Sequence, residues 1–223
     1  MTSDLHHAWD VSPTEAVAIQ RRLAPLARGG APPRLEDVRT VAGIDASYRA
    51  VGRAAVVVLS FPALAVVEQA VATVASVFPY VPGLLSFREG PVVLAALAKL
   101  SAPPDLLLFD GQGYAHPRRL GLASHIGLLA GLPSIGCAKS RLVGQHEAPG
   151  LARGDRTPLV ADGETLGAVL RTRPGTRPLY ISPGYRMDLE TAVAVVLRCL
   201  RGYRLPEPTR LADRLAAVAT PDS

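Results

Sequence analysis

The amino-acid sequence predicts an α/β fold in which a mixed sheet, part antiparallel meander and part parallel strands, is flanked by helices. Residues 40–75 contain three consecutive runs of strand character with tight connections, which is typical of an antiparallel meander. Residues 105–139 contain two short apolar strands separated by a helical segment, a pattern that indicates parallel pairing. The length of 223 residues suits one large core, and no shift in composition marks a linker. We therefore expect a single domain over residues 1–223.

The first helix is predicted over residues 12–28. Ser12 and Glu15 have the spacing of a capping box and precede an apolar pattern of helical period. The turn-rich segment 29–33 then ends this helix.

A second helix is predicted to begin at Pro91. Proline is favoured at the first helical position, whereas inside a helix it lacks an N–H and clashes with the preceding turn. Glu89 should then lie just outside the helix rather than complete a capping box with Ser86, so its carboxylate would be available for another role.

The remaining elements alternate between helices and strands. They are predicted as a helix over residues 118–132, a strand over 133–139, a hairpin around Asp162 and Gly163, a strand over 178–182, a helix beginning near Asp188 as N-cap, and an amphipathic helix over 207–218.

Composition limits the classes of protein to which the chain can belong. A net charge of +5 and a pI of about 9.6 permit binding to a polyanion without proving it. No apolar run is long enough to cross a bilayer, and residues 1–10 lack the pattern of a signal peptide. Cys137 and Cys199 lie in apolar segments and are expected to be core residues rather than a disulfide pair. These features predict a cytoplasmic protein with no membrane partner.

Asp110 is the residue of greatest interest, because it ends the apolar strand 106–109 and opens a glycine-rich turn. Asp-Gly is a common turn pair, which is one explanation. Asp45, however, interrupts the first strand of the meander, where a charge requires a partner. Asp45, Asp110 and Glu89 could together bind Mg²⁺ through hard oxygen ligands. Such carboxylates would repel one another strongly without a cation.

The glycines of the turn 111–121 raise an alternative, a dinucleotide-binding turn. That fingerprint requires a third glycine at position 116, which is His116 here, followed by proline. The sequence therefore predicts no organic cofactor. His116 could contact a phosphate, move a proton or orient the loop, and these possibilities stay open.

Several motifs together resemble the endonuclease V family of DNA repair nucleases. They lie, in order, at residues 41–48, 78–91, 109–127, 135–142, 166–184 and 203–210. The resemblance extends from about Pro13 to Leu215. It implies a ribonuclease H-like fold and cleavage, dependent on Mg²⁺ or Mn²⁺, of the second phosphodiester bond 3′ to deoxyinosine, leaving 3′-hydroxyl and 5′-phosphate ends. The expected partner is DNA containing deoxyinosine, or alternatively RNA containing inosine, bound by a monomer.

The resemblance also assigns individual residues. Asp45, Glu89 and Asp110 match the metal-binding carboxylates of the family, and Lys139 and His116 match its basic active-site residues. The strand-separating wedge corresponds to Pro79, Tyr80, Val81 and Pro82. The inosine pocket corresponds to Leu85, Gly111, Gly121, Gly136 and Leu142.

One position departs from the family pattern. The motif that usually reads Gly-His-Arg reads Gly184-Tyr185-Arg186 here. A histidine expected beside the metal is thus replaced by a phenol, which mostly donates a hydrogen bond and is a poor proton acceptor at neutral pH. Tyr185 therefore motivates an alternative in which the protein binds inosine lesions but cleaves weakly or not at all.

Overall fold

A computed structural model describes residues 5–28, 30–48, 51–75 and 78–217. Within these ranges the strands form one mixed sheet of eight strands, in the order β3-β2-β1-β4-β5-β8-β7-β6, with helices on both faces. The strands are β1 (Thr40–Tyr48), β2 (Gly52–Ser60), β3 (Val66–Val74), β4 (Leu106–Phe109), β5 (Ser134–Ala138), β6 (Arg156–Ala161), β7 (Glu164–Leu170) and β8 (Leu179–Pro183). The helices are α1 (Pro13–Ala27), α2 (Leu85–Leu97), α3 (Leu122–Ala130), α4 (Leu189–Arg198) and α5 (Glu207–Ala217).

The sheet has the two halves that the sequence predicts. Strands β1, β2 and β3 form the antiparallel meander, while β4 and β5 join β1 in parallel through the crossover helices α2 and α3. Strands β8, β7 and β6 continue the sheet in antiparallel pairing beyond β5. The predicted mixed sheet is therefore confirmed.

Strand β4 shows why the central apolar run is unbroken. Leu106 and Leu108 pack into the core cluster beneath α4 and α5, whereas Leu107 and Phe109 pack into the cluster beneath α2 and α3. Since alternate side chains of a strand point to opposite faces, a strand covered on both faces must be apolar at every position. Burial on both faces places the end of this strand, Asp110, at a protected edge of the sheet.

The predicted start of the second helix is wrong. Helix α2 begins at Leu85, so that Glu89 and Pro91 both lie inside it. The N-cap is Leu84, whose apolar side chain makes no capping hydrogen bond, and the hydroxyl of Ser86, inside the helix, bonds to Nδ1 of His125 at 2.9 Å. Phe87, 1% exposed, packs against Phe78. Burial of these early residues offsets the cost of a proline inside the helix.

Most other local predictions are confirmed. Helix α1 has its capping box, Asp188 caps α4, and Asp162 and Gly163 turn the β6–β7 hairpin with positive φ. Helix α3 is shorter than predicted, because Gly121 is its N-cap. Residue 49 of the predicted first strand and residue 218 of the predicted last helix lie outside the described residues.

The two cysteines are free and buried, as predicted. None of the helices in the described ranges combines the length and the apolar character needed to cross a membrane.

Candidate active site

The parallel pairing of β1 with β4 brings two carboxylates together. Ile44 is in register with Phe109, and the N–H of Asp110 donates to the carbonyl of Ile44 at 3.1 Å. The next residue on each strand, Asp45 and Asp110, therefore sits at the same edge of the sheet.

A third carboxylate, Asp213, reaches the same point from helix α5. One oxygen from each of Asp45, Asp110 and Asp213 lies within 4.8 Å of the others. Helix α5 can approach this closely because β1 has Gly43 beneath it, where a Cβ atom would lie only 2.0 Å from the backbone of Pro208.

The sequence analysis missed Asp213, although one signal was present. Thr209, Ala212 and Ala216 are the buried residues of α5 at helical spacing, and Asp213 shares their face. A carboxylate on the apolar face of an amphipathic helix requires a partner, which is the same argument that singled out Asp45.

Glu89 lies on α2 and lines the same cavity as Asp45 and Asp110, but it is not part of the three-carboxylate group. Burial raises the pKa of Glu89 to about 8, with further contributions from the charges of Asp45 and Asp110. Burial and the charge of Asp110 likewise raise the pKa of Asp45 to about 7. Mutual repulsion of this kind is what a bound cation would relieve.

Lys139, which follows β5, is the cation that the structure places in this group. Its Nζ lies 2.5 Å from Oδ2 of Asp110 and 3.0 Å from Oδ1 of Asp213. Partial burial lowers the pKa of Lys139, but the two carboxylates outweigh it and hold the pKa above its usual value. Lys139 is therefore positively charged at neutral pH.

Asp45 and Asp110 line a cavity of about 350 Å³. Most of the residues predicted from the resemblance line it, namely Tyr80, Val81, Pro82, Leu85, Gly111, His116, Gly121 and Leu142, together with Glu89 and Lys139. Tyr80 is 68% exposed, so it projects from the loop rather than packing into the core. The predicted wedge and the carboxylates thus border one cavity.

Two of the predicted pocket glycines have a role in packing. A Cβ atom on Gly121 would lie 2.4 Å from the carbonyl oxygen of Gln112, and one on Gly136 would lie 2.3 Å from the backbone nitrogen of Gly113. Gly136 does not line the cavity. These glycines let the loop after Asp110 pack directly against α3 and β5, and this loop forms one wall of the cavity.

His116 orients the end of the predicted wedge loop. It is buried, and its Nε2 lies 2.9 Å from the carbonyl oxygen of Gly83, while its Nδ1 accepts from the N–H of Arg118 at 3.2 Å. These contacts require a neutral ring that donates from Nε2. Burial lowers the pKa of His116 to about 4, which agrees. Of the roles left open by the sequence, loop orientation is the one with contacts in the structure.

The carbonyl of Gly83 accepts two further hydrogen bonds. Nε2 of Gln20, on α1, donates at 3.1 Å, and a terminal nitrogen of Arg118 donates at 2.7 Å. Arg118 also donates from Nε to the side-chain oxygen of Gln20 at 2.5 Å. Three side chains therefore fix the residue that directly follows the wedge, and neither Gln20 nor Arg118 was predicted.

Tyr185 does not lie beside the carboxylates, so the prediction that position 185 adjoins the metal is wrong. Strand β8 runs antiparallel to β5, which places its carboxyl end, and Tyr185 after it, near Ser134 at the start of β5. The backbone N–H of Tyr185 donates to Oγ of Ser134 at 2.8 Å. The side chain of Tyr185 packs against the hydrophobic cluster that contains Leu23 and Leu128. The reason to expect a catalytically weak binder is thereby removed.

Comparisons with known proteins identify the family. The family model described as Endonuclease V matches residues 29–214. A relative named Endonuclease V from Roseiflexus sp. is 54% identical over 97% of this chain and 97% of its own length. This chain belongs to the endonuclease V family. The chain is therefore a nuclease, that is, a phosphodiester hydrolase.

Solved structures of this family share the fold. The endonuclease V of Streptomyces avermitilis is 46% identical, covers 94% of this chain and 93% of its own, and superposes with a TM-score of 0.87. An endonuclease V of Ciona intestinalis, in complex with a 23mer DNA containing an inosine followed by a ribo-adenosine, is 27% identical, covers 92% of this chain and 97% of its own, and gives a TM-score of 0.81. The fold is ribonuclease H-like.

The endonuclease V family is metal-dependent, and the residues of this chain fit a divalent cation. Asp45, Asp110 and Asp213 offer hard oxygen atoms within 4.8 Å of one another. Carboxylate oxygens are the ligands that Mg²⁺ and Mn²⁺ prefer.

Proposed function

We propose that this endonuclease V acts on DNA containing deoxyinosine and hydrolyses the second phosphodiester bond 3′ to the lesion, leaving 3′-hydroxyl and 5′-phosphate ends. The observation that carries the proposal is that Asp45, Asp110 and the exposed Tyr80 border one cavity. The complex of the Ciona intestinalis relative with inosine-containing DNA supports the same substrate.

Mg²⁺ is the proposed cofactor, with Mn²⁺ able to substitute. Asp45, Asp110 and Asp213 would hold the cation. The charge of Glu89 interacts with those of Asp45 and Asp110, so Glu89 would also affect the affinity for the cation. When bound, such a cation would polarise the scissile phosphate and activate the attacking water.

Lys139 has a proposed role of its own. Its ammonium group, kept charged by Asp110 and Asp213, would stabilise negative charge that accumulates on the phosphate in the transition state.

Recognition of the lesion is proposed to use the opposite side of the cavity. Tyr80, between Pro79 and Pro82 on a loop fixed at Gly83, would replace the base stack where the strands separate. The extruded base would enter between Leu85 and Leu142, against the loop that begins at Gly111.

A nicking assay tests this function. A duplex with one deoxyinosine, and a matched duplex with adenine at that position, would be incubated with Mg²⁺, with Mn²⁺ and with a chelator. We expect a single nick one nucleotide beyond the lesion, dependent on the metal and reduced at least 10³-fold in Asp110→Asn. Asp155→Asn, which changes an aspartate remote from the cavity, is the matched control and should cleave normally. No nick with either metal would overturn the proposal.

RNA containing inosine is a second candidate substrate. The ribo-adenosine that follows inosine in the nucleic acid bound by the Ciona intestinalis relative favours it. Single-turnover rates on DNA and RNA of the same sequence, at one salt concentration, would decide between the two, because affinity for a polyanion depends steeply on salt.

A further inference from the structure

Arg204 is a partly buried arginine between α4 and α5, and its guanidinium donates to three backbone carbonyl oxygens. Its Nε donates to the carbonyl of Arg177 at 2.7 Å, and one terminal nitrogen donates to those of Lys139 and Pro178, each at 3.1 Å. None of the ion pairs within the described ranges involves Arg204. The side chain therefore binds backbone rather than a neighbouring carboxylate.

These contacts lie where the pairing of two strands stops. The ladder between β5 and β8 ends at Ala138 and Tyr180. Lys139 and Pro178 lie beyond that point, and Pro178 has no N–H with which to continue the ladder. Arg204 bridges their two carbonyls instead, so the guanidinium joins the strands where their own hydrogen bonds end.

The backbone of the segment that carries Arg204 is itself fixed. Oγ1 of Thr172, a buried residue that follows β7, donates to the carbonyl of Arg204 at 2.7 Å. The N–H of Glu207, the first residue of α5, donates to the carbonyl of Cys199 at 2.8 Å. Because α5 carries Asp213, Arg204 connects the segment that leads to Asp213 with the residue that provides the ammonium group.

Lys139 needs such support, because its ammonium ends a flexible four-carbon stem and must lie between Asp110 and Asp213. A catalytic group displaced by about 1 Å can cost about 100-fold in rate. Arg204 is not among the residues that line the cavity, so it would act through Lys139 rather than on the substrate. We propose that Arg204 is a positioning residue, which binds the carbonyl of Lys139 and thereby holds the ammonium group in place for cleavage. This inference rests on the proposed role of Lys139.

The charge of Arg204 offers a different explanation, which a conservative variant separates from positioning. Burial raises the pKa of Asp110, and the charges of Lys139 and Arg204 oppose that rise. Arg204→Lys keeps a positive charge but lacks the planar fork that reaches three carbonyls. If positioning is the role, its maximal cleavage rate should stay at least about 3-fold below that of the wild type.

A spectroscopic test needs no substrate. The chain has only two lysines, Lys99 and Lys139, so protein labelled with ¹³C at lysine Cε gives two resonances, which Lys99→Arg assigns. With Mg²⁺ present, Arg204→Met should shift or broaden the resonance of Lys139, because the ammonium loses its fixed position. The resonance of Lys99, whose ammonium donates to the carbonyl of Val71, should not change.

A kinetic test uses the deoxyinosine duplex with Mg²⁺. In Arg204→Met we expect the maximal single-turnover rate to fall roughly 10-fold and the half-saturating enzyme concentration to change less than about 2-fold, because the ammonium acts on the transition state. In a Lys139→Met background the same substitution should change the rate less than about 2-fold, since the group that it positions is absent. Arg201→Met, at an exposed arginine that donates to the carbonyl of Ala63, is the matched control and should cleave normally.

The outcomes separate this inference from the proposed function. An equal loss of rate with and without Lys139, or an unchanged Lys139 resonance, would overturn the inference, and so would the full wild-type rate in Arg204→Lys. If thermal unfolding shows that Arg204→Met does not fold, Arg204→Lys takes its place in both tests. No cleavage by the wild type would overturn the proposed function, and the spectrum would then decide the inference alone.

Discussion

The two ends of strand β5 differ in chemistry: charged side chains meet at its carboxyl end, and neutral hydrogen-bonded groups meet at its amino end. At its carboxyl end, Lys139 meets Asp110 and Asp213, and burial and repulsion raise the pKa of the neighbouring carboxylates. At its amino end, the fully buried Ser134 accepts from the N–H of Tyr185 at 2.8 Å and donates to the carbonyl of Ala123 at 2.8 Å.

The amino end is organised for stability. The backbone of Ser134 bonds to the carbonyl of Tyr185 and the N–H of Gly184, and Cβ atoms on Gly127 or Gly184 would lie 2.1 Å and 2.2 Å from its hydroxyl oxygen. Polar groups satisfied in this way stabilise the folded state, whereas buried carboxylates that repel one another destabilise it. The amino end of β5 therefore contributes to stability, whereas the carboxyl end concentrates carboxylates at a cost in stability.

The largest expected effect comes from Asp213. Asp213→Asn should lower the cleavage rate about 100-fold, since it removes one charged oxygen ligand, while the protein stays folded. Single-turnover nicking and thermal unfolding measure the two properties.

Asp105→Ala is the matched comparison for Asp213. Asp105 lies at the opposite edge of the sheet, where its Oδ2 accepts from the backbone N–H of Arg39 and Thr40. This variant should lose about 1–2 kcal/mol of stability and keep its cleavage rate. A normal cleavage rate in Asp213→Asn would show that Asp213, like Asp105, contributes nothing to cleavage.

The next effect is on the pH dependence of stability in metal-free protein. The pKa of Glu89 is raised by folding from 4.5 to about 8, so its contribution is fully present below about pH 4.5 and is lost as the pH rises to 8. Stability should therefore fall over this range by a few kcal/mol, and less steeply in Glu89→Gln. Urea unfolding in the presence of a chelator at pH 5 to 8 measures both slopes.

A control and the reverse experiment sharpen this prediction. Glu147→Gln changes an exposed carboxylate and should leave the slope unchanged. Added Mg²⁺ should restore stability at pH 8 in the wild type more than in Asp110→Asn, because bound cation stabilises the charged carboxylates. If the unfolding free energy fell equally steeply with pH in the wild type and in Glu89→Gln, the raised pKa of Glu89 would be contradicted.

A smaller effect is expected at the amino end of β5. Ser134→Ala leaves the N–H of Tyr185 and the carbonyl of Ala123 without their partner and should cost about 2 kcal/mol of unfolding free energy. The cleavage rate below the melting temperature should not change. Ser101→Ala, at an exposed serine that does not line the cavity, is the control. A loss of cleavage without a loss of stability would place Ser134 in the active site.

The smallest effect is expected from Tyr185→His, which introduces the histidine that the resemblance to the family led us to expect. Because Tyr185 packs on the hydrophobic cluster that contains Leu23 and Leu128, away from the carboxylates, the cleavage rate and the preference between Mg²⁺ and Mn²⁺ should change less than about 3-fold. Titration of both metals in the nicking assay measures this. A tenfold gain in rate would show that position 185 acts on the site from a distance.

The two ends of β5 are set by strand direction and burial rather than by local sequence patterns. The resemblance to the family suggested that Tyr185 adjoins the metal, but the antiparallel direction of β8 carries it to the other end of β5. The start of α2 was misplaced for a similar reason, because local rules for proline gave way to burial of Phe87. Neither strand direction nor burial can be read from a motif.

By itself, the sequence determined the mixed sheet, the two-sided burial of β4 and the carboxylates Asp45 and Asp110, because period, apolar runs and turn residues are local properties. Only the tertiary structure decided that Asp213 joins them and that His116, Arg118 and Gln20 fix Gly83. These contacts join residues up to 168 positions apart, the separation of Asp45 and Asp213. They depend on how helices pack over the sheet, which no local pattern specifies.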